Sequence, residues 1–117
     1  MDTLTLETSI PFLGDFVQEI YNVLGNNTAK IILYGSFARG EQTENSDVDL
    51  MILTTINDSQ QIEQLEKQLY AKAFEYELEY SRRISVIIHN DTHFYNWIDD
   101  LPFYRNVENE GVLLGVA

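Results

Sequence analysis

The feature that most constrains this chain is a polar, glycine-bearing segment enclosed between two short apolar runs. The first run, residues 31–34, ends at Gly35, and the second, residues 50–53, begins just after Asp47 and Asp49. Apolar runs of this length, rich in β-branched and large side chains, are typical of buried strands. Because only eleven residues separate Gly35 from Asp47, the end of the first strand must lie at the same edge of the sheet as the start of the second.

The two aspartates indicate a metal site. Alternate side chains of a strand share a face, so Asp47 and Asp49 point the same way, roughly 6.6 Å apart along the strand. Val48, Leu50 and Ile52 then face the core. Two carboxylates at this separation repel each other by roughly 2–3 kcal/mol at an effective dielectric near 20, and a bound cation removes that cost. Oxygen ligands favour Mg²⁺ or Mn²⁺, and Mg²⁺ commonly combines one or two carboxylates with substrate phosphates. Alternatively, the two aspartates form only a hydrated strand edge and bind no metal.

The Gly-Ser pair indicates a phosphate site. Gly35 lets the backbone come close to an anion, and Ser36 offers both an amide N–H and a hydroxyl. If Ser36 begins a short helix that continues to Arg39, the first amides and the helix dipole attract phosphate further. An ordinary turn after a strand is the alternative. Arg39 could contact a phosphate, or it could brace the loop by pairing with an aspartate.

This segment resembles the signature of the minimal nucleotidyltransferases, the MNT type, within the DNA polymerase β superfamily. The residues that carry the resemblance are Gly35, Ser36, Ala38, Arg39, Gly40, Ser46, Asp47, Asp49 and Leu50. The tail over residues 101–113 is similar to the closing segment of many members. The resemblance implies a Mg²⁺-dependent, two-metal transfer of a nucleoside monophosphate, AMP from ATP, to a protein or a small molecule, with pyrophosphate leaving.

The same resemblance implies roles for particular residues. Asp47 and Asp49 would be the catalytic, metal-binding carboxylates, and nucleotide binding would fall to Gly35, Ser36 and Arg39. Minimal members also often pair with a helical HEPN-domain protein in modules of the toxin–antitoxin type, and some add AMP to that partner. A HEPN-type partner is therefore expected for this chain, with self-association as an alternative.

One position departs from the family pattern. Members commonly carry a third carboxylate on the next strand, and parallel alignment puts Ser85 at that place. A serine is a poor Mg²⁺ ligand and cannot act as a base at neutral pH. Glu79 could substitute if the backbone curled inward, whereas His89 and Asp91 lie toward the far end of the strand. The alternative function is therefore a catalytically weak or inactive module that binds nucleotide or a partner.

The rest of the pattern predicts one α/β unit over residues 1–117, a small mixed sheet packed with helices. We expect helices over residues 10–24, from 59 through at least 76, over 92–98 and over 103–110, and strands over 30–34, 48–54 and 84–88. Residues 112–116 fit either a closing strand or a loose tail. A strand–helix–strand crossover favours parallel neighbours, so the second and third strands are predicted parallel and the first antiparallel to them.

Charge and composition limit the partners. The chain has 19 acidic and 7 basic residues, a net charge of −12, whereas binding to a nucleic-acid backbone needs clustered basic residues. Nucleic acid is therefore not expected as the main partner. The absence of cysteine and of an apolar stretch long enough to span a bilayer favours a cytoplasmic protein without membrane attachment.

Aromatic residues are concentrated in the C-terminal third of the chain. They are Phe94, Tyr95, Trp97, Phe103 and Tyr104, more than one closing layer is expected to bury. Exposed rings of this kind are typical anchors of protein interfaces, so residues 92–105 are predicted to bind a partner or a second copy. His89 and His93 lack partners at zinc-ligand spacing and are expected to be ordinary histidines.

Overall fold

Four short apolar segments form one sheet that is covered by helices on both faces. The structure is a computed structural model that describes residues 10–116. In chain order the elements are α1 (Leu13–Leu24), a 3₁₀ turn (Gly25–Asn27), β1 (Thr28–Tyr34), α2 (Ser36–Arg39), β2 (Val48–Thr54), α3 (Ser59–Tyr80), β3 (Ile84–Asn90), α4 (Asp91–Asn96), α5 (Pro102–Glu110) and β4 (Val112–Val116).

The strand order is β3-β2-β1-β4. Strand β1 runs antiparallel to both β2 and β4, and β2 runs parallel to β3. The predicted mixed sheet, with an antiparallel first strand and a parallel crossover, is confirmed. Residues 112–116 form a strand and not a loose tail, because β4 finds hydrogen-bonding partners along the free edge of β1.

The ends of the two long helices follow from local chemistry. Helix α1 buries Leu13, Phe16, Ile20 and Leu24 on one stripe and ends where Gly25 adopts φ +56°. Helix α3 begins after Asp58, whose carboxylate accepts hydrogen bonds from the amides of two following glutamines at 3.0 and 3.4 Å and so satisfies N–H groups that have no partner inside the helix.

Each face of the sheet has its own core. Val48, Leu50 and Ile52 of β2 face the core, as predicted. They form the larger core with apolar residues of α1 and α3. Alternate residues point to the other face, toward α4 and α5. The buried members of that second core are Ile32, Met51, Leu53, Phe94, Tyr104 and Val107. Asp49 lies on this second face by strand alternation, and it is only half-buried there.

Strand β3 lies at one edge of the sheet, and helix α3 shields that edge. The hydroxyl of Tyr70 donates a hydrogen bond to the carbonyl of Val86 at 2.9 Å. The carboxylate of Glu66 accepts a hydrogen bond from the amide of Ile88 at 3.0 Å. Two backbone groups that would otherwise face outward along β3 are therefore bonded to side chains of the same chain.

Among residues 10–116, no helix combines the length and the apolar character needed to cross a lipid bilayer.

Gly111 offers a test of how closely α5 and β4 pack against β1. A Cβ atom at this position would overlap the carbonyl oxygen of Val107 and the side chain of Ile32, whereas a Cβ at Gly14 would meet nothing. We expect Gly111→Ala to lower the free energy of unfolding by about 1–3 kcal/mol through overpacking. Gly14→Ala, the matched control in α1, should leave stability unchanged or raise it by up to about 1 kcal/mol. Denaturant unfolding monitored by circular dichroism measures both, and equal effects would contradict this packing.

Candidate active site

The Gly35 turn lies directly against Asp49. The antiparallel register pairs Tyr34 with Asp49, which brings the following residue, Gly35, beside the aspartate side chain. A Cβ atom at Gly35 would overlap the Oδ2 atom of Asp49. The backbone of Gly35 also has φ +78° and ψ −155°, a region that is essentially restricted to glycine. Both the conformation and the space available at this turn therefore require glycine.

Asp47 and Asp49 form an electrostatically coupled pair. Asp47 immediately precedes β2, and Asp49 is its second residue. Burial raises the pKa of the Asp49 carboxyl, the negative charge of Asp47 raises it further, and the Arg39 guanidinium acts in the opposite direction. Burial, together with the charge of Asp49, also raises the pKa of Tyr34 to about 12, so this phenol stays protonated at neutral pH. The site thus concentrates negative charge that a cation would offset.

Helix α2 begins at Ser36, as the sequence suggested. Phe37 and Ala38 are buried and anchor this short helix, while Arg39 is exposed. The Arg39 guanidinium pairs with Glu41 at 3.0 Å and with Glu110 at 3.6 Å. Its partners are therefore glutamates, and the expected pairing with an aspartate is wrong. Any phosphate that approaches Arg39 must compete with these two carboxylates.

A pocket of about 210 Å³ adjoins the Gly35 turn. Its lining includes Tyr34, Gly35, Arg39, Phe103, Asn106 and Glu110. The rings of Tyr34 and Phe103 meet edge to face, with centroids 5.5 Å apart. The pocket is therefore lined by two aromatic rings together with polar side chains of α2 and α5.

Ser85 occupies the position expected for the third carboxylate. The parallel register pairs Asp49 with Ser85, so both residues share one face of the sheet, and Ser85 is half-buried. Among residues 10–116, no group of three or more histidine or acidic side chains is arranged to hold a metal ion. The described part of the site thus offers two carboxylates with a hydroxyl beside them.

The other residues considered for the third carboxylate lie elsewhere. Glu79 belongs to α3 and lines a shallow pocket with Asp15 and Glu19 of α1, on the opposite face of the sheet, so its proposed substitution for Ser85 is wrong. His89 pairs with Leu53, four residues along β3 from Ser85 and roughly 13 Å away. Asp91 begins α4 beyond the end of that strand.

Arg82 is a site residue that sequence reasoning missed. Its Nη1 atom donates hydrogen bonds to the carbonyls of Thr43, Glu44 and Ser46 at 3.3, 3.1 and 2.8 Å. The guanidinium also lies over the ring of Phe37, 5.1 Å from its centroid. Arg82 therefore fixes the loop that leads to Asp47. In the sequence, the only indication of this role was the position of the arginine just before β3, the strand that pairs with β2.

The sequence profile of the nucleotidyltransferase domain family matches residues 14–114, a span that includes every residue of this site. The chain belongs to this family.

Two proteins of Methanocaldococcus jannaschii, both named "Putative protein adenylyltransferase", are similar over most of their length. One is 35% identical over 107 residues, covering 88% of this chain and 95% of the relative. The other is 33% identical over 105 residues, covering 87% and 93%.

Solved structures of this nucleotidyltransferase fold also resemble the chain. A crystal structure of a "putative nucleotidyltransferase" from Sulfolobus solfataricus superposes with a TM-score of 0.59 at 15% identity, covering 99% of this chain and 90% of that one. A toxin–antitoxin structure with AMP-PNP gives 0.57 at 16% identity, covering 90% and 74%. A variant of the toxin–antitoxin MntA-HpeT gives 0.54 at 14% identity, covering 88% and 73%. At these identities the likeness establishes the fold, and the predicted fold class is confirmed.

Substitution of Gly35 tests the contact with Asp49. We expect Gly35→Ala to lower the free energy of unfolding by about 3 kcal/mol, because a restricted backbone region and a steric overlap act together. Gly40→Ala is the comparison, because Gly40 has φ +72° with nothing near its missing Cβ, and about 1–2 kcal/mol is expected there.

A double-mutant cycle separates contact from backbone strain. In urea unfolding, Gly35→Ala should cost at least about 1 kcal/mol less in an Asp49→Ala background than in the parent, with Asp49→Ala alone closing the cycle. An equal cost in the two backgrounds would mean that backbone strain alone accounts for the effect and that Asp49 does not contact the turn.

Proposed function

We propose that this nucleotidyltransferase domain transfers AMP from ATP to a protein acceptor in a reaction that depends on Mg²⁺ or Mn²⁺. The observation that carries the proposal is the packing of the Gly35 turn against Asp49, since a phosphate held at the turn would lie beside the carboxylate pair. The relatives named as protein adenylyltransferases support AMP as the transferred group and protein as the acceptor class.

The residues present are compatible with a divalent cation. Asp47 and Asp49 are the residues that would hold it, because their mutual repulsion, which contributes to the raised pKa of Asp49, is relieved by a bound positive charge. Two carboxylates are within the usual number for Mg²⁺, which completes its coordination with substrate phosphates and water. The chemistry such an ion supplies when bound is to offset the negative charge on the transferring phosphate.

The protein groups would bind and orient the nucleotide. The first amides of a helix have no acceptor within the helix, so the backbone at Ser36 and Phe37 can donate to phosphate oxygens. The acceptor oxygen bonds to the α-phosphorus, the bond from that phosphorus to the bridging oxygen breaks, and pyrophosphate leaves. The proton of the acceptor hydroxyl goes to solvent, because Ser85 offers no base at the neighbouring position. We therefore expect AMP transfer to be slow, because no protein side chain at this position accepts the proton of the acceptor hydroxyl.

A partner protein is part of the proposal. The fold neighbours include toxin–antitoxin complexes, which supports a role as the MNT, antitoxin-like member of a pair whose other member is a helical HEPN-domain protein. That partner would be the acceptor. The second candidate function is nucleotide or partner binding with weak or no catalysis, and the presence of Ser85 beside Asp49 favours it.

Metal-dependent ATP binding is the primary test of the site. In isothermal titration calorimetry, ATP should bind at least about tenfold more tightly with Mg²⁺ than with EDTA, because a cation held by Asp47 and Asp49 would offset the repulsion between the carboxylates and the phosphates. Asp47→Asn with Asp49→Asn should abolish that difference. The matched control is Asp99→Asn with Asp100→Asn, which makes the same change in charge at exposed positions and should keep it. Equal affinity of the parent protein for ATP with and without metal would refute the proposal.

Ser85→Asp tests whether this position is the vacant third-carboxylate place. A third anionic ligand on the same face should tighten Mn²⁺ binding, and a carboxylate there could accept the proton of the acceptor hydroxyl and raise the transfer rate. Ser85→Asn is the control, since it has the same shape as aspartate without the charge. Mn²⁺ affinity measured by electron paramagnetic resonance should rise only in the aspartate variant. Equal affinities in the two variants would exclude Ser85 from the metal site.

A further inference from the structure

Helix α3 exposes an apolar stripe that no part of the described chain covers. Tyr70, Phe74 and Leu78 are 50%, 56% and 69% exposed, and residues four apart lie on the same side of a helix. We call these three residues the α3 stripe. Single exposed apolar side chains are common, but a contiguous row of three large ones is typical of a surface that binds another protein.

The α3 stripe leads into a pocket of about 240 Å³ that reaches the edge of the sheet. Its lining consists of Tyr70, Ala73, Phe74, Glu77, Arg83, Ile84 and Ser85. Ile84 is buried in the core formed with α1 and α3, whereas Ser85 shares the opposite face with Asp49. Because these adjacent residues point to opposite faces, a pocket lined by both lies along the outer edge of β3, near its start. It therefore places the α3 stripe close to Ser85, the register neighbour of Asp49.

The direction from which the acceptor must arrive points to the same place. In phosphoryl and nucleotidyl transfer the attacking and leaving oxygens lie roughly in line on opposite sides of the phosphorus. The proposed phosphate turn at Gly35 follows β1, and the aspartates lie at the start of β2, the next strand of the sheet, with Asp47 just before it and Asp49 within it. With pyrophosphate leaving on the β1 side, the acceptor hydroxyl must approach from the side of β3, the strand whose Ser85 lines this pocket.

The charge around the α3 stripe indicates the kind of partner. Helix α3 carries five glutamates and two lysines, and the whole chain has a net charge of −12. The pocket itself is lined by one charge of each sign, Glu77 and Arg83, so the excess of negative charge belongs to the helix and the chain around it. A second copy of the chain would bring the same charge to the interface and be repelled. A helical segment with an apolar face flanked by lysine and arginine is complementary to the stripe and to its acidic surroundings.

We propose that the α3 stripe and its pocket are the docking surface for the acceptor protein, which presents a basic helix with an apolar face and extends a hydroxyl side chain around β3 toward Ser85. The proposal rests on the proposed function for the identity of the occupant. This docking surface differs from the interface that the sequence predicted over residues 92–105. In that segment Phe94 and Tyr104 are buried, and the exposed rings are Tyr95, Trp97 and Phe103, at 37%, 48% and 43%.

Two fluorescein-labelled peptides of about 20 residues probe the surface directly. Both are amphipathic helices with the same leucine face and one tyrosine, and they differ in having either lysine or glutamate flanks. In fluorescence anisotropy the lysine peptide should bind the parent protein at least about tenfold more tightly than the glutamate peptide. Phe74→Ser with Leu78→Ser should weaken lysine-peptide binding at least about tenfold, because it removes two apolar anchors without changing the charge.

Trp97→Ser with Leu101→Ser is the matched control, because it removes two large side chains that are 48% and 39% exposed on the other surface. It should change affinity by less than about twofold. Unchanged binding by the α3 double variant, or an equal loss in both double variants, would overturn the proposal. Sedimentation that reveals a dimer dissociated by the α3 variant would also overturn it, in favour of a second copy as the occupant.

A transfer assay separates this inference from the proposed function. With α-labelled ATP and Mg²⁺, the parent should label the lysine peptide, and the α3 double variant should lose labelling while its calorimetric affinity for ATP stays unchanged. Equal labelling by the parent and the variant would refute docking at α3 and leave the transferase function standing. Peptide binding that depends on the α3 stripe, without label in any protein, would refute the transferase function and leave the docking surface standing.

Discussion

The arrangement of this site depends on one pairing, in which β1 and β2 run antiparallel with Tyr34 opposite Asp49. That register brings the glycine turn against the carboxylate, so the proposed anion-binding and cation-binding parts of the site share one wall. It also orients the other elements. Helix α2 must begin at the turn, the loop after it must return to β2 within a few residues, and the parallel strand β3 then lies beyond the aspartates. A shift of one residue in this register would turn Asp49 toward the larger core, formed with α1 and α3.

Much of the fold could be predicted because each strand carries a local signal. β2 was predicted over residues 48–54 and has those bounds, since the apolar run of residues 50–53 with a valine before it is typical of a buried strand. The same signal underestimated β1 and β3, which extend into Thr28 and Asn90, polar residues that ladder hydrogen bonds hold in the strand. The outcome for residues 112–116 could not be read locally, because a strand of five residues forms only when a neighbour supplies its hydrogen bonds.

The features that could not be predicted from the sequence all depend on contacts between residues that are distant in the chain. Arg82 carries no motif of its own, and its three carbonyl partners lie almost forty positions earlier in the chain. Glu79 seemed near the site because it precedes β3, but the last turns of α3 carry it to the opposite face. The C-terminal aromatic residues divide between core and surface because Phe94 and Tyr104 stack with ring centroids 4.7 Å apart. No periodicity in the sequence marks which rings will stack.

The shielded edge of β3 has a consequence for how this protein recognises others. An open strand edge commonly binds a segment of another chain by continuing the ladder of backbone hydrogen bonds. This mode of binding depends little on the sequence of the added strand and favours aggregation. Here Tyr70 and Glu66 already occupy backbone groups along that edge. A visiting strand that paired along this stretch would have to displace these two bonds. Contact on this side is thereby left to side chains, which discriminate among partners where a backbone ladder does not.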